Sequence, residues 1–132
     1  MKLSKLLIIS LLGTPLLHLI YSDLFDLDLA MTNEYLAKLP ILFLILLIPA
    51  FIAFRYRNVY ISKSFYTFVY YPVHLGIPLS LINSLYNHTE LLSEDGVKIE
   101  WEFVAINIFL FYLIFAFVAN LTYRSNFNKK AN

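Results

Sequence analysis

The chain of 132 residues contains no cysteine, which excludes disulfides, thiolate metal sites and cysteine nucleophiles and leaves the redox compartment open. Charge is also scarce. Asp, Glu, Lys and Arg make up 14% of the residues, against about 25% in soluble domains, too few to cover a water-soluble surface. Three glycines leave little material for GxxxG-type helix contacts, so Phe and Leu are expected to fill the helix interfaces. No acidic residue falls inside any long apolar run, whereas many small channels and exporters carry one there. No nucleotide-binding, metal-ligating or catalytic motif is present. Enzymatic readings therefore rank last, no cofactor is expected, and nucleic acid is not among the expected partners.

What the chain does contain is apolar surface gathered into blocks. Hydrophobic residues are 60% of the total and the mean hydropathy is +0.69. Four blocks reach the length of roughly 17–25 residues that a spanning helix needs: residues 3–21, 36–54, 64–86 and 102–123. The first, preceded by Lys2 and Lys5, has the layout of a signal peptide, but bulky Ile20 and Tyr21 stand where a small-x-small cleavage site belongs, which favours an uncleaved signal anchor. In the second, Lys38 sits at the edge where its stem can snorkel, Pro40 suits a first turn, and Pro49 should kink the helix. The third contains Pro72, Gly76 and Pro78 and should be broken or strongly bent there. Lipid tolerates this only where the freed carbonyls face protein or water. The fourth is flanked by the interfacial anchors Trp101 and Tyr123. The expected fold is one all-α membrane domain of four transmembrane helices in two hairpins of the same orientation.

Charge divides by side. Eight of the ten basic residues lie in the N-terminal segment, the loop 55–63 and the tail 124–132. All nine acids lie in the loops 22–35 and 87–101 or at their edges. Basic flanks stay cytoplasmic, so both termini are expected in the cytoplasm, most naturally at a bacterial inner membrane. Within the second acidic loop, Asp95-Gly96 is a turn signal and residues 97–101 alternate as a short strand would.

Candidate functional residues are few. His74 lies near the middle of the third span, on one helical face with Thr67 and either Tyr70 or Tyr71, beside Pro72 and Pro78. Ionisable groups at that depth mark proton or ligand paths. The plainer alternative is an imidazole satisfying a carbonyl that Pro72 or Pro78 frees. His18 lies towards the outer end of the first span; the pair of histidines lacks the further ligands that a haem or metal site needs. His88 should be solvated in its loop. Asn107 and Asn120 can hydrogen-bond between helices. Asp23, Asp26, Asp28, Glu94 and Asp95 form the outer recognition candidates, for a cationic partner or a weakly held divalent cation. Topology alone also accounts for acids on that side. Asn87-His88-Thr89 fits a glycosylation sequon, relevant only to a eukaryotic source.

In plan the chain resembles the immunity proteins of pore-forming bacteriocins, which are small, cysteine-free, of three or four spans, with basic inner ends. The resemblance covers architecture along the whole chain and no particular motif. It implies a lipid-embedded protein whose partner is another membrane-inserted protein, a toxin whose helices it holds closed through aromatic surfaces on spans three and four. Two other readings stand beside it: a small subunit or assembly factor of a larger membrane complex, and a homo-oligomeric transporter or flippase using the His74 region.

Overall fold

The computed structural model describes residues 2–24 and 33–123. Four helices are long and apolar enough to cross a membrane, and the protein is an all-α integral membrane protein. Helix α1 covers Leu3–Leu24 and α2 covers Asn33–Arg55. A third helix, α3, runs over Lys63–Asn87. A short antiparallel hairpin follows, β1 (Thr89–Ser93) and β2 (Gly96–Ile99), and then α4 (Trp101–Thr122). The extensive helix contacts run between consecutive spans, α1 on α2, α2 on α3 and α3 on α4. Helix α3 is the central element: 44% of its apolar window is buried, against 11% for α4.

α2 starts at Asn33, one turn earlier than its apolar block, with Glu34 in the first turn where a carboxylate suits the helix dipole. Pro40 consequently lies two turns inside the helix and not in its first turn. α1 likewise contains Pro15. Its inward stripe is Leu6, Ser10, Thr14 and His18, all buried at a spacing of four, while most of its other leucines and its isoleucines are exposed.

The interruption expected around Pro72 and Pro78 is present, but its form is specific. The chain stays helical from end to end and widens into two π turns, Tyr66–Tyr70 and Pro72–Gly76. These are closed by Tyr71 N–H to Tyr66 C=O and by Ile77 N–H to Pro72 C=O. Pro78 follows in the first turn of a regular α-helical stretch, Ile77–Asn87. A regular α-helix would pair Phe68 C=O with the N–H that Pro72 lacks. That carbonyl instead accepts a hydrogen bond from the Tyr112 hydroxyl of α4.

Close helix contact is also achieved despite the scarcity of glycine. A Cβ on Gly76 would meet Phe111 C=O at 3.2 Å and Phe115 Cβ at 3.3 Å. Gly76 sets the approach of α4 to the wide part of α3, against Phe111 and Phe115.

The core has two halves. Leu42, Ile45, Ile82, Leu85 and Tyr86 form the one nearer the hairpin. Ile61, Tyr66, Tyr70 and Ala119, with Tyr56 and Tyr123 against them, form the one nearer the basic loop.

Candidate functional site

His74 is half-buried in the second π turn. Its ring stacks on Tyr70, one turn earlier, with centroids 5.4 Å apart and planes 12° from parallel. The backbone of Pro49 on α2 is the polar group beside the ring. Beside it lies a groove of about 450 Å³ between α1 and α2. Its walls are leucine and isoleucine, and Ser10, Gly13, Ala50 and Ala53 keep it open. Each of these small residues forms a pair three apart along its helix, which leaves room for another backbone to approach. His74 and Ser10 are the groove's polar side chains.

The remaining candidates on α3 separate. Tyr70, not Tyr71, shares His74's face. Tyr71 turns to α4, tilted against Phe115 at 5.8 Å and against Tyr66 at 5.4 Å. Thr67 is buried at 4% exposure, and its hydroxyl has no hydrogen-bond partner among the described residues. Pro72 and Pro78 are both buried and act on the backbone. Asn107 does bond between helices, donating to Ser84 Oγ at 3.3 Å. Asn120 makes no such bond among the described residues: it is exposed within one turn of the end of α4, where headgroup-level water can solvate it.

A second group of polar residues gathers at the hairpin end. Lys38 is buried at 5% exposure and does not snorkel outward. It shares the inward face of α2 with Leu42 and Ile45, which directs its stem into the bundle. Its ammonium lies 3.7 Å from Glu34, one turn earlier, and 5.8 Å from the centre of the Tyr86 ring. Glu34 is bound in turn to the hairpin. The strand pairs Glu90↔Lys98 and Ser93↔Gly96 leave one extra residue on β1, a bulge that brings two successive N–H groups to one side. Leu91 N–H and Leu92 N–H donate to the two carboxylate oxygens of Glu34 at 2.5 and 2.6 Å. Tyr86 completes the group: its hydroxyl and His18 Nδ1 share a hydrogen bond of 3.0 Å, and its ring stacks on Tyr21 at 4.5 Å. His18 thus belongs to this cluster. No group of three His, Cys, Asp or Glu able to hold a metal occurs among the described residues.

The hairpin itself follows the turn signal, with Gly96 at φ +99° and Ser93 Oγ donating to Gly96 C=O. Glu94 and Asp95 stand exposed at its tip, Asp95 paired with Lys98 at 3.3 Å. His88 is not freely solvated: it is half-buried, stacked on Phe103 at 4.9 Å and 3.9 Å from Glu100. Asp26, Asp28 and the side chain of Asp23 lie outside the described residues. The buried cluster was missed in the sequence although signals for it exist, Glu34 and Lys38 being four apart and Ser10, Thr14 and His18 likewise. No protein-family model, curated protein or solved structure matches the chain.

Proposed function

We propose that this protein acts by binding another membrane-inserted protein through helix–helix contact, most concretely as an immunity-type protein that blocks a pore-forming toxin. The observation that supports this reading is the groove of about 450 Å³ between α1 and α2. Within lipid, helices associate by packing and by interhelical hydrogen bonds and not by the hydrophobic effect, and small residues let their backbones come close. Gly13, Ala50 and Ala53 provide that approach, and His74 and Ser10 provide polar groups to fix the register. This concave surface takes over the recognition role that the aromatic faces of spans three and four have in the immunity resemblance. A toxin helix lying there is withheld from the assembly that would open a pore. In this reading the basic ends and both termini face the cytoplasm of a bacterial inner membrane, and the protein performs no reaction.

The test is survival of cells with and without the protein when challenged with membrane-inserting toxins. Ala50→Phe, which fills the groove, serves as the site control. Protection that Ala50→Phe removes is the expected result; equal survival with every pore former tried rejects the reading. A subunit or assembly factor would use the same groove, and is told apart by a stoichiometric partner present in unchallenged cells.

A homo-oligomeric transporter or flippase is the second reading, and a specific observation favours it. π turns are frequent at functional sites, and those of α3 carry Thr67 and His74. Substrate movement in proteoliposomes that His74→Ala abolishes would establish it.

A further inference from the structure

We propose that the polar recess under the hairpin binds the headgroup of a phospholipid carrying a primary amine, a phosphoethanolamine, with one acyl chain lying in the apolar furrow beside it. The recess holds about 240 Å³ and is lined by Lys38, Tyr86, His88, Glu90, Lys98 and Glu100 together with Asn87 and Thr89. That is below the roughly 300–1,000 Å³ of pockets that enclose a whole small molecule, and well above the ~30 Å³ share of one water. The furrow, of about 190 Å³, runs between Ile41, Ile45, Leu81, Leu85 and Val104. Thr89 lines both spaces.

Depth fits a lipid at the interface. Lys38 stands two residues inside the start of the apolar segment Leu36–Arg55, and Tyr86 one residue before the end of Lys63–Asn87. Trp101 opens the last span at the same end and lines the furrow, as interfacial tryptophans do at headgroup level. A molecule with its polar part in the recess and its apolar part in the furrow is oriented as a membrane lipid is.

The charges select the headgroup. Lys38 is buried, and Glu34, its partner at 3.7 Å, already accepts two backbone N–H bonds. Among the described residues the ammonium therefore keeps donors for an anion, and a phosphate is the anion that every phospholipid brings. Lys98 is exposed and engaged with Asp95, so Lys38 is the inner positive pole. The acidic lining is Glu90, close enough to attract the Lys38 ammonium, and Glu100, 3.9 Å from His88. The neutral polar groups are committed elsewhere: Asn87 donates to Asn83 Oδ1 and Thr89 to Ser84 C=O. A headgroup with phosphate alone would set its charge beside two carboxylates without compensation. A quaternary ammonium has no N–H to give them. A primary ammonium can donate to both, and such charge-assisted bonds are the strong ones.

The test uses the full-length protein, delipidated in detergent, with native mass spectrometry against phosphatidylethanolamine, phosphatidylcholine and phosphatidylglycerol of identical chains. One charge-assisted hydrogen bond corresponds to about tenfold in affinity, so retention of phosphatidylethanolamine about tenfold above the other two is expected. Lys38→Met should remove binding. Glu90→Gln with Glu100→Gln, both surface residues, should lower phosphatidylethanolamine to the level of phosphatidylcholine while leaving thermal unfolding unchanged. This double variant decides the matter if Lys38→Met does not fold. Competition separates the sources of the chemistry: soluble glycerophosphoethanolamine should displace the lipid and inorganic phosphate should not. Equal retention of the three lipids, unchanged selectivity in the double variant, or displacement by inorganic phosphate alone would each overturn the proposal.

Discussion

The two ends of the bundle are closed by different chemistry. At the basic-loop end, rings meet rings: Tyr66 stacks on Tyr70, Tyr123 lies edge-on to Tyr66 at 5.2 Å, and Tyr56 lies at 90° to Tyr70. One hydroxyl, that of Tyr123, ties α4 to the loop by donating to Ile61 C=O at 3.1 Å. At the hairpin end an ion pair, a histidine and two tyrosines lie among aliphatic side chains, and the carboxylate of Glu34 holds a strand by its backbone. Aromatic packing is tolerant, since each contact is small and its neighbours remain when one is lost. An ion pair with one buried member is less so, because removing the partner leaves a buried charge poorly compensated. The hairpin end should therefore respond steeply to single changes and the basic-loop end gradually.

The largest expected effect tests that contrast directly. Glu34→Ala leaves the Lys38 ammonium with Glu90 as its remaining electrostatic partner and frees Leu91 and Leu92 N–H, and should cost about 3 kcal/mol in reversible unfolding in mixed micelles. Amide exchange at Leu91 and Leu92 should speed up in the same variant, and Glu34→Gln, which keeps an acceptor, should lose less. An unchanged midpoint for Glu34→Ala would abolish the distinction between the ends.

Between the two ends, Gly76→Leu drives a side chain into Phe111 and Phe115. A loss of about 1–3 kcal/mol is expected from thermal unfolding, and stability at the wild-type level would show that α4 can move away freely. Tyr112→Phe should cost about 1 kcal/mol by removing the hydroxyl bond to Phe68 C=O. Pro72→Ala, which supplies the missing N–H, should reduce that loss when combined with it in a double-mutant cycle.

The smallest effects compare the ends by like substitutions. Tyr86→Phe removes the bond to His18 and Tyr123→Phe the bond to Ile61, each worth about 1 kcal/mol. Tyr86→Phe should be the larger, because its partner is a buried side chain. The reverse order in matched unfolding experiments would place the more demanding hydrogen bond at the aromatic end.

Much of the architecture was legible in the chain because lipid makes it so. A span must be apolar along its whole length, and its backbone must pair within itself. The four helices therefore appear as four blocks, with ends that shift by a few residues. The Asp95-Gly96 turn was legible for a similarly local reason. The partner strand β1 was not, since Thr-Glu-Leu-Leu-Ser does not alternate in residue type, although its burial alternates once folded. The inward orientation of Lys38 was illegible too. A lysine near a span end can reach water or turn inward with equal sequence, and a carboxylate fixed by a distant strand decides which.

The sequence by itself determined that this is a four-span, cysteine-free membrane protein with its basic and acidic loops at opposite ends. Those properties follow from hydropathy and charge counted along the chain, which no packing can alter. Only the tertiary structure decided which polar groups meet. His18 and Tyr86 are 68 residues apart and Glu34 and Leu91 are 57 apart. It also decided that π turns, not a chain break, accommodate Pro72. Such pairings depend on how the helices are rotated against one another, and packing sets that rotation, since in lipid every outward face is equally apolar.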